Sequence, residues 1–363
     1  MSTLKVAGVR GLSASADAIT VHASDGTATG KFTNLPGRNL IINGDFSCAQ
    51  RTTAAVTTSD GSNEGHQTVD RWRADLSSAA VFTQQQVDLT AATDPDGFYK
   101  AWKIDCTTVD SSVAASDWAV FQQYVEGLNW AQLNYGRSDA KTITVSFWIK
   151  STKTGTYSFA IRNSAADRHY VAEYTVSTTN TWEKKSFTIP GDTSGTWLTT
   201  NGIGARLTWA LLMGTQDSTS AGSWGAGNKF GSTNQVNFFD NTSNDLYITG
   251  VQVEIGSIAT DFCHENHAET LRKCQRYYEA LYMNAGTAMW ISGASGSNAK
   301  MEYSFKVTKR AVPTGVLGTG ATWSGATPLE FHSTNIAGFH HSSTQYSLGG
   351  ANGILAFSFN AEL

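Results

Sequence analysis

Eleven tryptophans in a chain of 363 residues are the side chains whose chemistry most needs a use. Each offers a flat apolar face and a single N–H donor, the combination that covers the C–H side of a sugar ring while amides and hydroxyls pair its alcohols. Trp72, Trp102, Trp148 and Trp209 stand in strand-like contexts and are expected in a core, whereas Trp118, Trp130, Trp197, Trp224 and Trp323 stand near loops. Ser223-Trp224-Gly225-Ala226-Gly227-Asn228 is the most loop-like of these stretches, so Trp224 and Asn228 are the first candidates for a ligand platform. The plainer account of the same residues is a loop pinned by one buried ring or packed on another subunit. A second stretch, Phe339 to Tyr346, is dense in rings, donors and acceptors. It makes His340, His341 and Tyr346 candidates for a distal contact surface, against the alternative of a polar turn between strands.

Metal and catalytic patterns are weak by comparison. His340 and His341 are adjacent, so on a strand they would point to opposite faces and make a poor pair of ligands. Cys263, His264, His267 and Cys274 lack finger spacing, with two helical turns between the last two. The acidic turn Asp94 to Asp96 has no further carboxylates placed around it by sequence for calcium. Gly293-Ala294-Ser295-Gly296 lacks the strand-to-helix setting of a nucleophile elbow. The expectation is a protein without cofactor or metal that is not an enzyme.

Composition narrows the class further. Only 15% of the residues are charged, against about 25% in an average soluble domain. Gly, Ser, Thr, Asn and Gln fill the gap, the habit of an all-β chain with many turns. A formal net charge of -4 with scattered Lys and Arg leaves no basic stripe for nucleic acid. Four dispersed cysteines, Cys48, Cys106, Cys263 and Cys274, read as free thiols, and MSTLKVAGVR lacks the apolar core of a signal peptide, so synthesis in the cytoplasm is expected. No run is long enough to insert across a bilayer as a helix.

The elements that must position these residues follow from periodicity. Residues 1–38 are a polar preface with brief alternating pieces, Leu4/Val6 and Ile19/Val21, read either as a floppy arm or as a segment that orders on a larger assembly. Residues 39–262 carry period-two strands such as Ile143/Val145/Phe147/Ile149 and Leu207/Trp209/Leu211, separated by turn clusters, which predicts two packed sheets in a jelly-roll β-sandwich. Leu246 and Ile248 share a face with Val251, Val253 and Ile255 only if a bulge intervenes at Thr249-Gly250. Residues 263–285 predict one amphipathic helix, with Asn266 as N-cap, Glu269 closing a capping box and Asn284-Ala285-Gly286 as the stop. His267, Leu271, Cys274, Tyr278 and Leu281 alternate at spacings of four and three, the seam of a short coiled coil. Residues 286–363 predict a smaller C-terminal β module whose thin core would gain from sister chains. The fold class expected is therefore mainly β: a sandwich, one helix and a second β module.

The order NLIINGDF, ITVSFWIKS, TWEKKSFTIP and DLYITGVQVEIGS resembles the landmarks of carbohydrate-binding-module-like jelly rolls. With VDRWRAD after the opening and ATDF then LRKCQRYYEA after the close, the chain more particularly resembles tail-fibre and related virion proteins of tailed bacteriophages. The preface STLKVAGVR is similar to the N-termini of fibre-like proteins of marine phages, and FKVTKRAVPT looks like their strand after the helix. The resemblance implies a homotrimeric tail fibre or receptor-binding protein of the virion, made in the host cytoplasm. Residues 1–38 would attach it to tail, adaptor or neck proteins, the helix seam would hold three chains in register, and a host surface glycan would be the ligand. A capsid- or neck-associated fibre or decoration protein has the same parts, and a carbohydrate-binding module outside any virion is the remaining alternative. The long repetitive β-helix usual in phage depolymerases has no counterpart here.

Overall fold

The computed structural model describes residues 8–10, 19–21, 28–30, 37–283, 289–292, 299–317, 322–323, 329–331, 334–341, 345–349 and 354–363. The main body is built from β1 (Val56–Thr58), β2 (Arg73–Ser77), β3 (Val81–Asp88), β4 (Lys100–Thr108), β5 (Trp118–Glu126), β6 (Ile143–Ser151), β7 (Gly155–Arg162), β8 (Arg168–Val176), β9 (Glu183–Ile189), β10 (Ile203–Met213), β11 (Trp224–Ala226) and β12 (Asp245–Ile255). They form two six-stranded sheets, β11-β8-β7-β10-β5-β2 and β9-β6-β12-β4-β3-β1. Every neighbouring pair in both sheets is antiparallel. The chain is mainly β, a jelly-roll sandwich followed by one short helix and a smaller β module.

Alternation sorts the side chains. Tyr157, Phe159 and Ile161 of β7, Leu207, Trp209 and Leu211 of β10, and Val145, Phe147 and Ile149 of β6 all turn inward and are fully buried. At the centre Phe121 stacks on Trp209 at 5.5 Å, with Trp72 5.4 Å from the same indole. Burying one such ring stabilises the fold by roughly 2–3 kcal/mol. Trp72, Trp102 and Trp209 are thus core residues as their strand contexts predict. Trp148 is not. It alternates with Phe147 and Ile149, so it faces outward from the second sheet and packs half-buried with Phe98 and Trp182.

On β12 the register slips between Thr249 and Gln252, as the phase of its apolar residues demands. Gly250 occupies the slip at φ +62°, and a Cβ there would meet the Phe98 ring at 2.6 Å. Leu246, Ile248, Val251 and Val253 accordingly share the inner face, while Ile255, paired with Ile143 at the end of the strand, is 39% exposed.

The helix is shorter than its sequence predicts. α1 spans His267–Gln275, and the Asn266 side chain caps it by accepting from the Ala268 amide at 2.9 Å. Glu269 accepts from Arg272 at 2.8 Å, where a box closed on the cap amide was expected. The chain then turns at Arg276 and Tyr277 and runs on as the strand Tyr278–Met283, paired with Ile354–Asn360. Tyr278 and Leu281 therefore lie on a strand, and the five-residue coiled-coil seam does not exist as one helical stripe. Of its helical members His267 is exposed, Leu271 is half-buried, and Cys274 is buried against the chain's own sandwich. Tertiary contacts cause the break. The Tyr277 hydroxyl donates to Glu126 at 2.6 Å while the Arg71 guanidinium covers its ring at 3.5 Å, so the chain is held on the sandwich where another helical turn would carry it away. Asn284 to Gly286, the expected stop, lie outside the described residues.

The second β module consequently begins before residue 286, since Tyr278–Met283 already belongs to its sheet with Ile354–Asn360 and Thr314–Leu317. It is locked to the sandwich by buried charge. One pair lies within the module, Lys309 with Glu279 at 2.6 Å and both side chains fully buried, and the others reach the sandwich. Glu362 pairs with Arg71 and, at 3.4 Å, with Arg51, beside His66 at 3.6 Å. Arg276 makes a two-pronged bond to Glu126 at 2.9 and 2.6 Å. In the preface the described residues form three short paired strands, Gly8–Val9, Ile19–Val21 and Ala28–Gly30.

Candidate functional site

Three of the loop tryptophans converge at one end of the sandwich. Trp130 closes the single helical turn Gly127–Trp130 that follows β5, Trp197 lies in the loop before β10, and Trp224 opens β11. Tyr135 joins them through the connection to β6. That connection turns at Asn134, φ +57°, and at Gly136, φ +84°, where a Cβ would strike the Gly195 carbonyl oxygen at 2.6 Å. Glycine is what lets the two loops close on each other, and the Gly136 amide donates to the Asp192 carbonyl at 2.7 Å across the gap. The helical turn is fixed in the same way, with Gly127 donating to Gly202 at 2.8 Å and Leu128 to Thr200 at 2.9 Å.

The rings form a nest. Trp130 lies nearly parallel to Trp197, 6.2 Å apart at 23°, and Tyr135 stands edge-on to Trp197 at 4.9 Å and to Trp224 at 5.7 Å. Trp224 also meets Tyr170 of β8 at 5.3 Å. Between Trp130, Tyr135 and Trp197 lies a recess of about 150 Å³ rimmed by Asn134, Arg137 and Thr199. Its polar groups are of two kinds. Trp197 and Trp224 donate to the carbonyls of Ser194 and Pro190, at 3.2 and 2.8 Å. Trp130 Nε1 and the Tyr135 hydroxyl are buried with no acceptor among the described residues. Burial and the nearby Asp192 carboxylate push the Tyr135 phenol well above its usual range, so it stays a neutral donor at any working pH. Trp102, Trp209 and Tyr174, members of the same core cluster, also leave a donor unpaired among the described residues.

The structure places Trp224 in the nest, half-buried rather than as a free platform, and Asn228 a short step along the same stretch. There Asn228 Oδ1 accepts from Arg162 at 2.7 Å on the outer face of the first sheet. His340 and His341 lie at the end of the strand Ile336–His341, and Tyr346 lies on Gln345–Gly349, a different sheet of the second module. Their side chains, and residues 342–344 between the strands, lie outside what is described. Sequence reasoning missed Tyr135 and the two outward arginines Arg162 and Arg206. The signal present for the arginines was their place in the alternation, each following an inward residue, Ile161 or Ala205.

The remaining candidate metal groups are otherwise engaged. Asp94 accepts from Trp182 Nε1 at 2.9 Å and from the Ala91 amide at 2.8 Å. His267 Nδ1 sits 4.0 Å from Cys48 Sγ, and no cluster of three metal-ligating residues occurs among the described residues. Among the described residues no helix is long and apolar enough to cross a membrane.

No protein-family profile matches the sequence, and a search of curated proteins returns no match. Among solved structures, the chain is similar to the enzymatically active domain of tailspike protein 4 of bacteriophage CBA120, at 12% identity, TM-score 0.32 and 61% coverage of this chain. It is also similar to the module TmCBM61 in complex with β-1,4-galactotriose, at 12% identity, TM-score 0.30, covering 61% of this chain and all (100%) of that one. A third similar structure is the family 11 carbohydrate-binding module of Clostridium thermocellum in complex with a mixed-linked tetrasaccharide, at 12% identity, TM-score 0.27, with coverages of 60% and 99%. Of the tailspike chain, the match spans 22%.

Proposed function

We propose that this protein is a glycan-binding adhesion protein of a tailed-phage virion, a trimeric tail fibre or receptor-binding protein that acts by attachment and not by turnover. The observation that carries the glycan reading is the recess at the end of the sandwich. Its walls are indole and phenol rings and its rim is amide, guanidinium and hydroxyl, the pairing of flat apolar faces with polar groups that a sugar ring can use. The virion assignment is supported by the order of sequence landmarks from NLIINGDF to LRKCQRYYEA. In this reading residues 1–38 attach to tail, adaptor or neck proteins and three copies add their weak contacts through avidity. With the helical seam gone, the second β module is the part left to hold the chains together.

Two measurements test this. A glycan array probed with the whole chain should give binders that the Trp197→Ala variant loses while still melting cooperatively, at a lower temperature because the ring is buried; retention of binding by that variant removes the recess from the reading. Light scattering should give a mass near three chains, and a folded monomer would sink the trimeric fibre.

A further inference from the structure

On the outer face of the first sheet, registers alone place a row across five strands: Gly225 of β11, His169 of β8, Arg162 of β7, Arg206 of β10 and Tyr124 of β5. Arg162 and Arg206 are direct cross-strand partners. Like charges at that position face each other at about 5 Å between Cβ atoms and destabilise the sheet. The first of them is also buried, 5% exposed beneath the Phe230 ring, whose centroid lies 4.2 Å away. Its Nη1 donates to Asn228 and its Nη2 to Thr208 Oγ1 at 3.3 Å, both neutral. Arg206 donates to the Ser164 carbonyl at 3.1 Å and lies 5.3 Å from the Tyr124 ring.

What the pair lacks is an anion. Neither guanidinium forms an ion pair among the described residues, and the Nε atoms of both are buried without an acceptor. Asp75 lies on the same face but is taken by Arg73, at 2.6 and 2.7 Å, and by Gln122 at 2.7 Å. Burial lowers Arg162 to about 10 and Arg206 adds to the shift, while Tyr124, Asp217 and Asp75 act the other way without forming an ion pair with it. The cheapest remedy for two adjacent cations is one carboxylate shared between them.

We infer that Arg162 and Arg206 bind a carboxylate carried by the ligand, so that the glycan is acidic, of the uronic or sialic type. This rests on the glycan reading above and names its class. The aromatic recess and the arginine pair lie towards the same end of the first sheet's strands, joined by the stretch that runs from Trp224 in the nest to Asn228 on Arg162, so that in this reading neighbouring residues of one oligosaccharide reach both. Arg206 is the half-exposed entry to the site.

The experiment is titration calorimetry of the whole chain with oligogalacturonate and with a sialylated oligosaccharide, each against its carboxyl-reduced counterpart, at low and high salt. At least one acidic form should bind tenfold or more tighter than its reduced counterpart, the gap should shrink with salt, and it should vanish in R206Q. Arg206→Lys should restore part of it. R206Q is checked for an unchanged melt, and Arg162→Gln gives a second reading of the same gap. Equal binding of acidic and reduced forms, or a preference that survives both substitutions, overturns the inference and leaves the glycan reading standing. If no saccharide binds, both fall.

Discussion

Two groups of arginines are taken out of water in this molecule, and they are treated oppositely. Arg71 is 1% exposed and is met by Glu362, a carboxylate from the far end of the described chain, with Tyr277 stacked on its plane and the Tyr124 carbonyl accepting at 2.6 Å. Arg162 is nearly as buried and is met by another arginine. Both pay the desolvation cost of a buried cation, but only the first is repaid within the chain. The first group is a joint between two parts of one protein, and the second has the form of a joint whose other half is not part of the fold.

The contrast can be broken most severely at Glu362. Glu362→Gln leaves Arg71 buried without its anion and should lower unfolding free energy by about 3–5 kcal/mol, read by urea denaturation. A loss under about 1 kcal/mol would mean that the joint is not what holds the module. The same residue sets an acid limb. Arg71, His66 and Arg51 hold its carboxyl down at about 2, against about 4.3 unfolded, so its stabilisation is complete above pH 4.3 and fades as pH falls towards 2. His66, kept neutral by burial and lowered to about 3, adds a loss of the same sign as pH falls below about 6.5. Asp70 acts the other way. Burial outweighs the nearby Arg51 and its two bonds from Gln50 and raises it to about 6, so its charge costs stability as pH rises from about 4 to 6. Between pH 5 and 3 the native chain should therefore lose stability more steeply than Glu362→Gln, measured by denaturation at each pH.

At the unmatched pair the sign should reverse. Arg162→Met removes a buried cation that faces another and should stabilise the free protein by about 1 kcal/mol or more; destabilisation by more than that would show that its bonds to Asn228 and Thr208 outweigh the repulsion. The smallest effect belongs to Tyr135→Phe. Removing a hydroxyl without an acceptor should leave stability, read by urea denaturation, unchanged or raise it by under about 1 kcal/mol. A clear loss of stability there would mean that the hydroxyl already has a partner.

The sandwich was largely legible because its signals are local. Alternation assigns faces in β6, β7 and β10, and the phase slip at Thr249-Gly250 is written in the spacing of Ile248 and Val251. Asn266 announces the start of α1 for the same reason. Its end was not legible, since Tyr278 and Leu281 continue the helical spacing and only the distant Glu126 and Arg71 hold Tyr277 down. Trp224 was found because a tryptophan among glycines is conspicuous. Its partner Tyr135 comes from the connection between β5 and β6, and the facing of Arg162 and Arg206 exists only once the register of β7 and β10 is known.

The Arg71–Glu362 joint also has a meaning in time. The two residues are separated by 291 positions, so during synthesis the sandwich is laid down long before its counter-charge exists. A chain that stops short of Glu362 holds a finished core with an unneutralised cation beneath it. Truncated products are thus marked for unfolding from within, and the sandwich becomes secure only when the second module has been made and has docked.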